Sequence, residues 1–183
     1  MKEQVILVNK KDEQIGLMDK LEAHEKGALH RAVSVFIFNS DNKLLIQRRS
    51  LEKYHTAGIW SNTACSHPRN NESNKSCANR RLYEEMGVVA KIIFGFSFLY
   101  KLKLSNTMTE HELDHVFIGF SNKNPRLNPE EVCDWKYVDE TSLKQLLNEN
   151  PEDFSPWFKI CYEEAFKKAY NLNSKQLTGM DLL

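Results

Sequence analysis

The residues with the clearest chemical potential lie within residues 61–87. Cys65 and His67 stand two positions apart in a polar loop, and the carboxylate pair Glu84 and Glu85 follows near the end of a predicted helix. Thiols, imidazoles and carboxylates transfer protons in enzymes, and imidazoles and carboxylates also hold metal ions. A lone cysteine is often only a small apolar core residue, but the polar neighbours of Cys65 favour a site. This segment therefore predicts proton transfer beside a bound metal.

A second acidic segment covers residues 110–117. Side chains alternate between the two faces of a strand, so Glu110, Glu112 and Asp114 share one face there. Carboxylates that face inward require a cation, whereas carboxylates on an exposed edge strand are simply solvated. Taken alone, the segment favours the exposed edge.

Three histidines, His24, His30 and His67, are well separated in the sequence. A lone histidine is more often a surface or core residue than a ligand. Together with carboxylates, imidazoles suit a transition metal, and carboxylates also suit magnesium. Metal binding is therefore one of two interpretations of these histidines.

The helix predicted over residues 74–86 carries two arginines, each four positions before an acid. Arg80 with Glu84, and Arg81 with Glu85, can form ion pairs on a solvated face. In the alternative interpretation, Glu85 holds magnesium bound to a diphosphate, and Arg81 helps to neutralise the phosphates.

Length and composition predict one folded domain over residues 1–183. Of the 183 residues, 41% are hydrophobic and 27% charged, which allows a sizeable core and argues against disorder. The formal net charge is zero, which argues against a protein that binds nucleic acid through a broad basic surface.

Cysteine spacing and hydropathy predict the compartment. The 4 cysteines include no CxxC pair, which argues against a zinc ribbon. No run approaches the ~18 apolar residues of a membrane span, and the first residues lack the basic start and long apolar core of a signal peptide. We therefore expect a cytoplasmic protein with reduced thiols and no membrane partner.

Hydrophobic patterns and capping residues predict strands and helices in an α+β order. The strands are predicted at residues 5–8, 32–38, 43–47, 92–100, 112–120 and 134–138. Ser73 can cap the first helix and Gly87 can end it. Thr141 can cap the second helix, and the third begins at Pro156. Residues 171–183 are expected to be loosely ordered.

In their order and spacing, these motifs resemble one known family, the type 1 isopentenyl-diphosphate isomerases of the Nudix superfamily. The resemblance runs from about His24 to Trp157. The matching elements are His24, residues 29–32, Arg48 and Arg49, residues 58–62, 65–68, 80–82, 85–87, 110–112 and 154–157. The resemblance implies a Nudix-like mixed β-sheet sandwich flanked by helices.

The resemblance also implies an activity. The family interconverts isopentenyl diphosphate and dimethylallyl diphosphate: a proton adds to the terminal alkene carbon, and another leaves the allylic position on the opposite face. By resemblance, Cys65 and Glu112 are the two acid/base groups, and the hydroxyl of Tyr100 assists Glu112.

Two divalent metals and a small-molecule diphosphate partner are implied in the same way. The ligands of one metal, which is Mn²⁺, Zn²⁺ or Mg²⁺, would be His24, His30, His67, Glu110 and Glu112. Mg²⁺ held by the diphosphate would bind Glu85 and the backbone carbonyl of Cys65. The cations that contact the diphosphate would be Lys20, Arg49, Lys53 and Arg81. Trp157 would lie over the hydrocarbon, where its π face can stabilise a cation, and a monomer is expected.

The chain departs from the general Nudix pattern at two positions. Glu72 and Arg80 stand where that pattern requires them, but Ser66 replaces a glycine and Arg81 replaces a glutamate. The lost acid weakens a hydrolase metal site. Two alternatives nevertheless stay open: a Nudix hydrolase of a nucleoside diphosphate derivative, and a non-catalytic binding module for a diphosphate ligand.

Overall fold

The computed structural model describes residues 3–53 and 56–179. Within these ranges the chain forms a single mixed sheet with helices packed against it. The strands are β1 (Gln4–Val8), β2 (Gln14–Asp19), β3 (His30–Phe38), β4 (Leu44–Arg49), β5 (Trp60–Ser61), β6 (Ala64–Ser66), β7 (Ile92–Lys103), β8 (Thr109–Phe120) and β9 (Val132–Val138). The helices are α1 (Lys20–Lys26), α2 (Asn74–Met86), α3 (Glu140–Glu149) and α4 (Pro156–Gly179), with a short 3-10 helix at Pro151–Asp153.

Strand β3 organises the sheet, because it pairs with four other strands. Along one edge it pairs in parallel with β8 over its whole length. Its other edge is shared in turn by β1 at His30, by β6 at residues 33–35 and by β4 at Ile37 and Phe38. Since β3 joins a parallel partner to three antiparallel ones, the sheet is mixed, and the predicted α+β class is confirmed.

The side chains of β3 alternate between two apolar layers. Val33, Val35 and Ile37 pack with α2 in one layer. Phe36 and Phe38 pack with α4 in the other. A strand that is covered on both faces has a nearly continuous apolar sequence, which is why the pattern predicted a buried strand here.

The face of the sheet that packs against α4 changes from apolar to polar along its length. Phe36 and Val116 lie in the apolar layer, and Ser34, Asp114 and Glu112 precede them on the same faces of β3 and β8. The polar part is buried too, since Asp114 is 1% and Glu112 6% exposed. The fold therefore holds ionisable groups at one end of a hydrophobic core, where water screens them little.

Helix α1 and strand β2 were not predicted from the sequence. Asp19 caps α1 by accepting hydrogen bonds from the backbone amides of Leu21 and Glu22, and Gly27 ends it with φ 59°. The helix has only 7 residues, too few for a helical period to be recognised. Its caps nevertheless fix the position of His24, which is fully buried.

The segment predicted as a polar loop contains the two short strands β5 and β6. Strand β6 pairs with β3, so that Cys65 lies opposite Ser34. The hydroxyl of Thr63 donates to the carbonyl of Leu45 at 2.6 Å and accepts from the amide of Ile37 at 2.9 Å. Polar residues in this segment therefore hold neighbouring backbones together, which fixes where Cys65 lies.

The interpretation of residues 110–117 as an exposed edge strand is wrong. Strand β8 lies between β3 and β7 and pairs with both. Glu110 is 3% exposed, close to the values for Glu112 and Asp114. A run of acids looks like a solvated edge because a local pattern contains no information about which strands flank it.

The predicted start of α3 is also wrong. Asp139 caps this helix, and its carboxylate accepts a hydrogen bond from the amide of Ser142 at 2.9 Å. Thr141 lies inside the helix instead. Both residue types are good caps, and the aspartate two positions earlier accepts from an amide one turn before those that Thr141 would serve.

Helix α4 begins at Pro156 as predicted, but it continues further than expected. It extends to Gly179, so residues 171–179 are helical. The expectation that this segment is loosely ordered stays a prediction, and residues 180–183 lie outside the described residues. No helix among the described residues is long and apolar enough to cross a membrane.

Helix α2 confirms the prediction at both ends. The Ser73 side chain accepts a hydrogen bond from the amide of Ser76 at 3.1 Å, and Gly87 ends the helix with φ 62°. The left-handed conformation at Gly87 lets the chain turn directly beside Arg126, whose amide donates to the carbonyl of Met86 at 2.7 Å.

We expect Gly87→Ala to lower the free energy of unfolding by about 2–4 kcal/mol, because it adds left-handed strain and a steric clash. A Cβ at this position would lie 2.7 Å from the carbonyl oxygen of Arg126. Gly16→Ala is the control, since its Cβ would meet Leu7 at 3.8 Å, and its expected effect is within about 0.5 kcal/mol. Urea denaturation measures both. A loss in Gly87→Ala no larger than that in the control would contradict the argument.

Candidate active site and metal centre

A cavity of about 310 Å³ lies at the polar end of the sheet face that packs against α4. Most residues assigned to a site from the sequence line it. They are Lys20, Arg49, Lys53, Cys65, His67, Arg81, Tyr100, Glu110, Glu112 and Trp157. The volume suits a small ligand.

Four side chains among the described residues form a group that could hold a metal ion. One ligand atom from each of His24, His30, His67 and Glu112 lies within 4.8 Å of all the others. The Nε2 atoms of His30 and His67 are 3.2 Å apart. Oε1 of Glu112 is 3.4 Å from Nε2 of His30 and 2.9 Å from Nε2 of His67. The structure therefore brings four of the predicted ligands together, and their binding of a metal stays a prediction.

Backbone carbonyls orient two of these imidazoles. Nδ1 of His24 donates to the carbonyl of Lys20 at 2.6 Å, and Nδ1 of His30 donates to that of Ala28 at 2.9 Å. When such a ring is neutral and its proton is on Nδ1, its Nε2 lone pair faces the group. Lone pairs and a carboxylate that converge in this way repel each other unless a proton or cation lies among them, so the donor set fits a divalent metal.

Burial helps to set the protonation states of this group. Burial lowers the pKa of His67 to about 4, although the nearby Glu112 opposes the shift. His67 is therefore a neutral imidazole near pH 7, which is the form that binds metals. Burial acts to raise the pKa of Glu112, but interactions with His30 and His67 outweigh it and hold that pKa well below its ordinary value.

Glu110 lies beside the four-residue group. Its Oε2 is 3.3 Å from Nε2 of His24. Burial and the negative charge of Glu112 raise the pKa of Glu110 to about 7. Burial lowers the pKa of His24, but the hydrogen bond and charge of Glu110 outweigh that effect and raise it. The fifth predicted ligand is thus in contact with the group through His24.

Cys65 lies in the wall of the cavity as a protonated thiol. Burial raises its pKa to about 12, while the positive charge of Arg49 opposes the shift. An Arg49 NH1 is 4.0 Å from the sulfur, and Nε of Arg49 donates to the carbonyl of Thr56 at 3.0 Å. The thiol can therefore give a proton, and a thiolate formed there would lie beside a cation.

Tyr100 and Glu112 form a cross-strand pair between β7 and β8. The Tyr100 hydroxyl donates to Oε2 of Glu112 at 2.5 Å. Burial and nearby carboxylates raise the pKa of Tyr100 well above its ordinary value, so the hydroxyl keeps its proton. The two oxygens of Glu112 consequently have different partners: Oε1 faces the imidazoles and Oε2 faces the phenol.

Trp157, in the first turn of α4, is fixed against the β5–β6 segment. Its indole Nε1 donates to Oδ1 of Asn62 at 3.2 Å, and the hydroxyls of Ser61 and Ser155 are 2.8 Å apart. The guanidinium carbon of Arg49 lies 5.4 Å from the centroid of the indole ring. The π face predicted to stabilise a cation therefore meets a cation of the protein in this structure.

Three of the predicted diphosphate-binding cations are paired with acids in the cavity wall. Nζ of Lys20 is 3.1 Å from Oε2 of Glu3. Lys53 forms an ion pair with Oε2 of Glu131, and NH2 of Arg81 is 3.0 Å from Oε1 of Glu131. The positive charge of this part of the cavity is therefore largely neutralised within the protein.

Glu85 lies apart from the histidine group. Its Oε1 accepts from Nε of Arg81 at 3.0 Å and its Oε2 accepts from Nε2 of Gln47 at 2.7 Å. Burial raises the pKa of Glu85, while Arg81 and Gln47 oppose the shift. Because Glu85 is 3% exposed, the interpretation of a solvated ion pair does not apply to it. Its binding of magnesium stays a prediction.

Four acids in the cavity wall were not assigned to the site from the sequence: Glu3, Glu52, Asp114 and Glu131. Asp114 accepts from the hydroxyl of Ser34 at 2.7 Å, and its other oxygen has no hydrogen-bond partner in the described part of the chain. Burial and the charge of Glu112 raise its pKa to about 8. The alternation with Glu110 could have identified Asp114, whereas no local pattern marks Glu131.

Comparison with known proteins first identifies the domain family and the fold of this chain. Residues 28–158 match the family model described as the NUDIX domain. A crystal structure of DR0079 from Deinococcus radiodurans is 22% identical with a TM-score of 0.68, covering 80% of this chain and 90% of that chain. A MutT protein from Methanosarcina mazei Go1 is 21% identical with a TM-score of 0.58, covering 80% and 96%. At these identities the likeness concerns the fold, and it confirms the predicted Nudix-like architecture.

Relatives with higher sequence identity to this chain identify a subgroup within that family. Isopentenyl-diphosphate Delta-isomerase 2 of Aromatoleum aromaticum is 48% identical over 165 residues, covering 90% of this chain and 87% of the relative. Isopentenyl-diphosphate Delta-isomerase of Pectobacterium atrosepticum is 45% identical over 170 residues, covering 90% and 95%. The chain belongs to the NUDIX family and, within it, to the isopentenyl-diphosphate Delta-isomerases.

We expect an excess of Mn²⁺ to raise the Tm of the metal-free protein by several degrees, because an ion that binds only the folded state stabilises it. His67→Asn should lose most of this shift, since it removes a central ligand of the group. His111→Asn is the control: His111 lies on the opposite face of β8, and its Nδ1 is 2.8 Å from the carbonyl of Gly27. Thermal unfolding of each protein with and without Mn²⁺ gives the shifts. Equal shifts in all three would rule out the proposed metal centre.

Proposed function

We propose that this protein catalyses the reversible isomerisation of isopentenyl diphosphate to dimethylallyl diphosphate by two proton transfers. One observation carries the proposal: Cys65 and Glu112, from different strands, line a single cavity together with a set of cations that suit a diphosphate. The similar proteins from Aromatoleum aromaticum and Pectobacterium atrosepticum are named for this substrate. A site for hydrolysis does not require a thiol and a carboxylate in this arrangement.

The two groups supply the two proton steps. One gives a proton to the terminal alkene carbon, and the other removes a proton from the allylic carbon, whose C–H electron pair becomes the new double bond. The thiol of Cys65 is protonated and the carboxylate of Glu112 is ionised, so the pair begins with one donor and one acceptor. Their roles exchange in the reverse reaction, and no oxidant or reductant is consumed.

The hydrocarbon end of the substrate is proposed to lie against Trp157 and Tyr100. Both side chains are largely buried and continue the apolar layer under α4, so they exclude water from the positive charge that develops on carbon. Protonation of an unactivated alkene is difficult, and stabilisation of that charge lowers the barrier more effectively than tight binding of the substrate does. The hydroxyl of Tyr100 also holds Glu112 in one orientation.

The diphosphate end is proposed to bind among the basic side chains of the cavity wall. These are Lys20, Arg49, Lys53 and Arg81. Basic side chains that surround a diphosphate position it by charge-assisted hydrogen bonds. Arg49 also stacks on Trp157 and lies beside Cys65, so it would stand between the charged head and the reacting carbons.

The donor sets fit two divalent cations. His24, His30, His67 and Glu112, with Glu110 beside them, would hold Mn²⁺, Zn²⁺ or Mg²⁺, and Glu85 with the backbone carbonyl of Cys65 would hold the Mg²⁺ that accompanies the diphosphate. When bound, such ions supply positive charge to neighbouring carboxylates and phosphates.

Several expectations from the sequence remain predictions at this point. They are a single domain over residues 1–183, a cytoplasmic location, a monomeric state, and the lack of nucleic-acid and membrane partners. The zero net charge supports the lack of nucleic-acid binding. All four cysteines are free thiols, which is compatible with a reducing compartment.

Incubation of the purified protein with isopentenyl diphosphate and Mg²⁺ in deuterated water, followed by NMR, tests the proposal. We expect dimethylallyl diphosphate that carries deuterium, because the proton donor exchanges with solvent. Unchanged substrate together with cleavage of a nucleoside diphosphate derivative would assign the protein to the hydrolases. Metal binding without turnover in either assay would favour the binding module.

We expect Cys65→Ala to lower kcat in this assay by at least about 100-fold, the usual contribution of a general acid or base. The control is Cys133→Ala, which changes an exposed thiol outside the residues that line the cavity. Thermal unfolding of both variants checks the fold. A Cys65→Ala variant that is as active as Cys133→Ala would remove the thiol from the mechanism.

A further inference from the structure

Glu131 joins two cations of the proposed diphosphate site. Its Oε2 pairs with Nζ of Lys53, and its Oε1 is 3.0 Å from NH2 of Arg81. All three side chains line the cavity and are only partly exposed, at 21% for Glu131, 24% for Lys53 and 17% for Arg81. A carboxylate with one oxygen on each cation is arranged as two oxygens of a phosphate would be.

The backbone around Glu131 is held independently of this carboxylate. The amide of Glu131 donates to the carbonyl of Asn128 at 3.0 Å, and its carbonyl accepts from the amide of Ser50 at 2.9 Å. Arg81 has further partners in Glu84 and Glu85. Loss of the Glu131 charge therefore need not displace either the loop or the arginine.

We propose that Glu131 is a built-in competitor of the diphosphate for Lys53 and Arg81, and that it sets the affinity of the site for diphosphates. The inference rests on the proposed function, because it assumes that these cations receive the diphosphate. A ligand that binds there must displace the Glu131 carboxylate or tolerate its charge, and either requirement weakens binding.

The chemistry of the reaction gives this competition a use. Substrate and product carry the same diphosphate, so affinity for that group stabilises both equally and does not lower the barrier between them. Without an internal competitor, the cations Lys53 and Arg81 would hold both substrate and product more tightly, which would slow product release. An acid beside these cations weakens the affinity for the diphosphate of both substrate and product, and it does not contact the reacting carbons.

Calorimetric titration of metal-free protein with inorganic diphosphate measures the competition directly. Glu131→Gln removes the charge and keeps the shape, and we expect its Kd for diphosphate to fall about three- to tenfold below that of the unmodified protein. Glu84→Gln is the matched control. It removes the same charge from the same arginine, but Glu84 is 36% exposed and is not among the residues that line the cavity, so its Kd should stay within about twofold. Glu131→Asp keeps the charge and should stay near the unmodified protein.

Tighter diphosphate binding in Glu131→Gln, without tighter binding in Glu84→Gln or Glu131→Asp, supports the proposed competition. An unchanged or weaker affinity in that variant would overturn the proposal and make Glu131 a residue that positions the cations. If Glu84→Gln bound diphosphate equally tightly, the effect would come from the general surface charge and the proposal would be wrong. If Glu131→Asp bound it equally tightly, the charge of Glu131 would not be the cause. The titration needs no turnover, so a protein that fails to isomerise in deuterated water would refute the proposed function separately.

Discussion

Buried negative charge is the constraint on which the rest of this structure depends. Strand β8 presents Glu110, Glu112 and Asp114 along one face, and each is at most 6% exposed. In a medium that screens charge poorly, three such carboxylates cannot all be ionised without compensating groups. The pKa values show how the protein responds: those of Glu110 and Asp114 are raised, and only that of Glu112 is lowered. The two strands that flank β8 supply partners for Glu112: His30 comes from β3 and Tyr100 from β7.

The same sheet face combines two environments that are usually separate. Toward Phe36 and Val116 it is part of a hydrophobic core, and toward Glu112 it is a cluster of ionisable groups. Cys65 and Trp157 lie along this transition, where a charged group and a hydrocarbon can each find suitable neighbours. An anionic group is disfavoured beside these carboxylates and favoured beside the cations of the cavity wall. The two ends of a ligand with a charged head and an apolar tail therefore meet different neighbours in one cavity.

Predictability from the sequence differed sharply between local and long-range features. Ser73 and Gly87 identified both ends of α2 because capping depends on residues within one turn of the helix. The buried strand β3 could likewise be predicted from its own apolar residues. The environment of Glu112 could not, because its burial depends on β3 and on β7, whose residues are distant in sequence. Glu131 had no local pattern at all, since its importance comes from two cations that only the folded chain brings to it.

The hydrogen bonds between the β5–β6 segment and the start of α4 have a consequence for synthesis on the ribosome. Asn62 receives the indole N–H of Trp157 across 95 positions of sequence, whereas His24, His30, His67 and Glu112 have all been made by the end of β8. A chain emerging from its N-terminus can therefore pair β3 with β8 and bring the imidazoles and the carboxylate together before the tryptophan has left the ribosome. During that interval the future cavity lacks one of its apolar walls. In the order of synthesis, the potential ion-binding groups thus come first, and the aromatic wall that excludes water comes last, with the C-terminal helix.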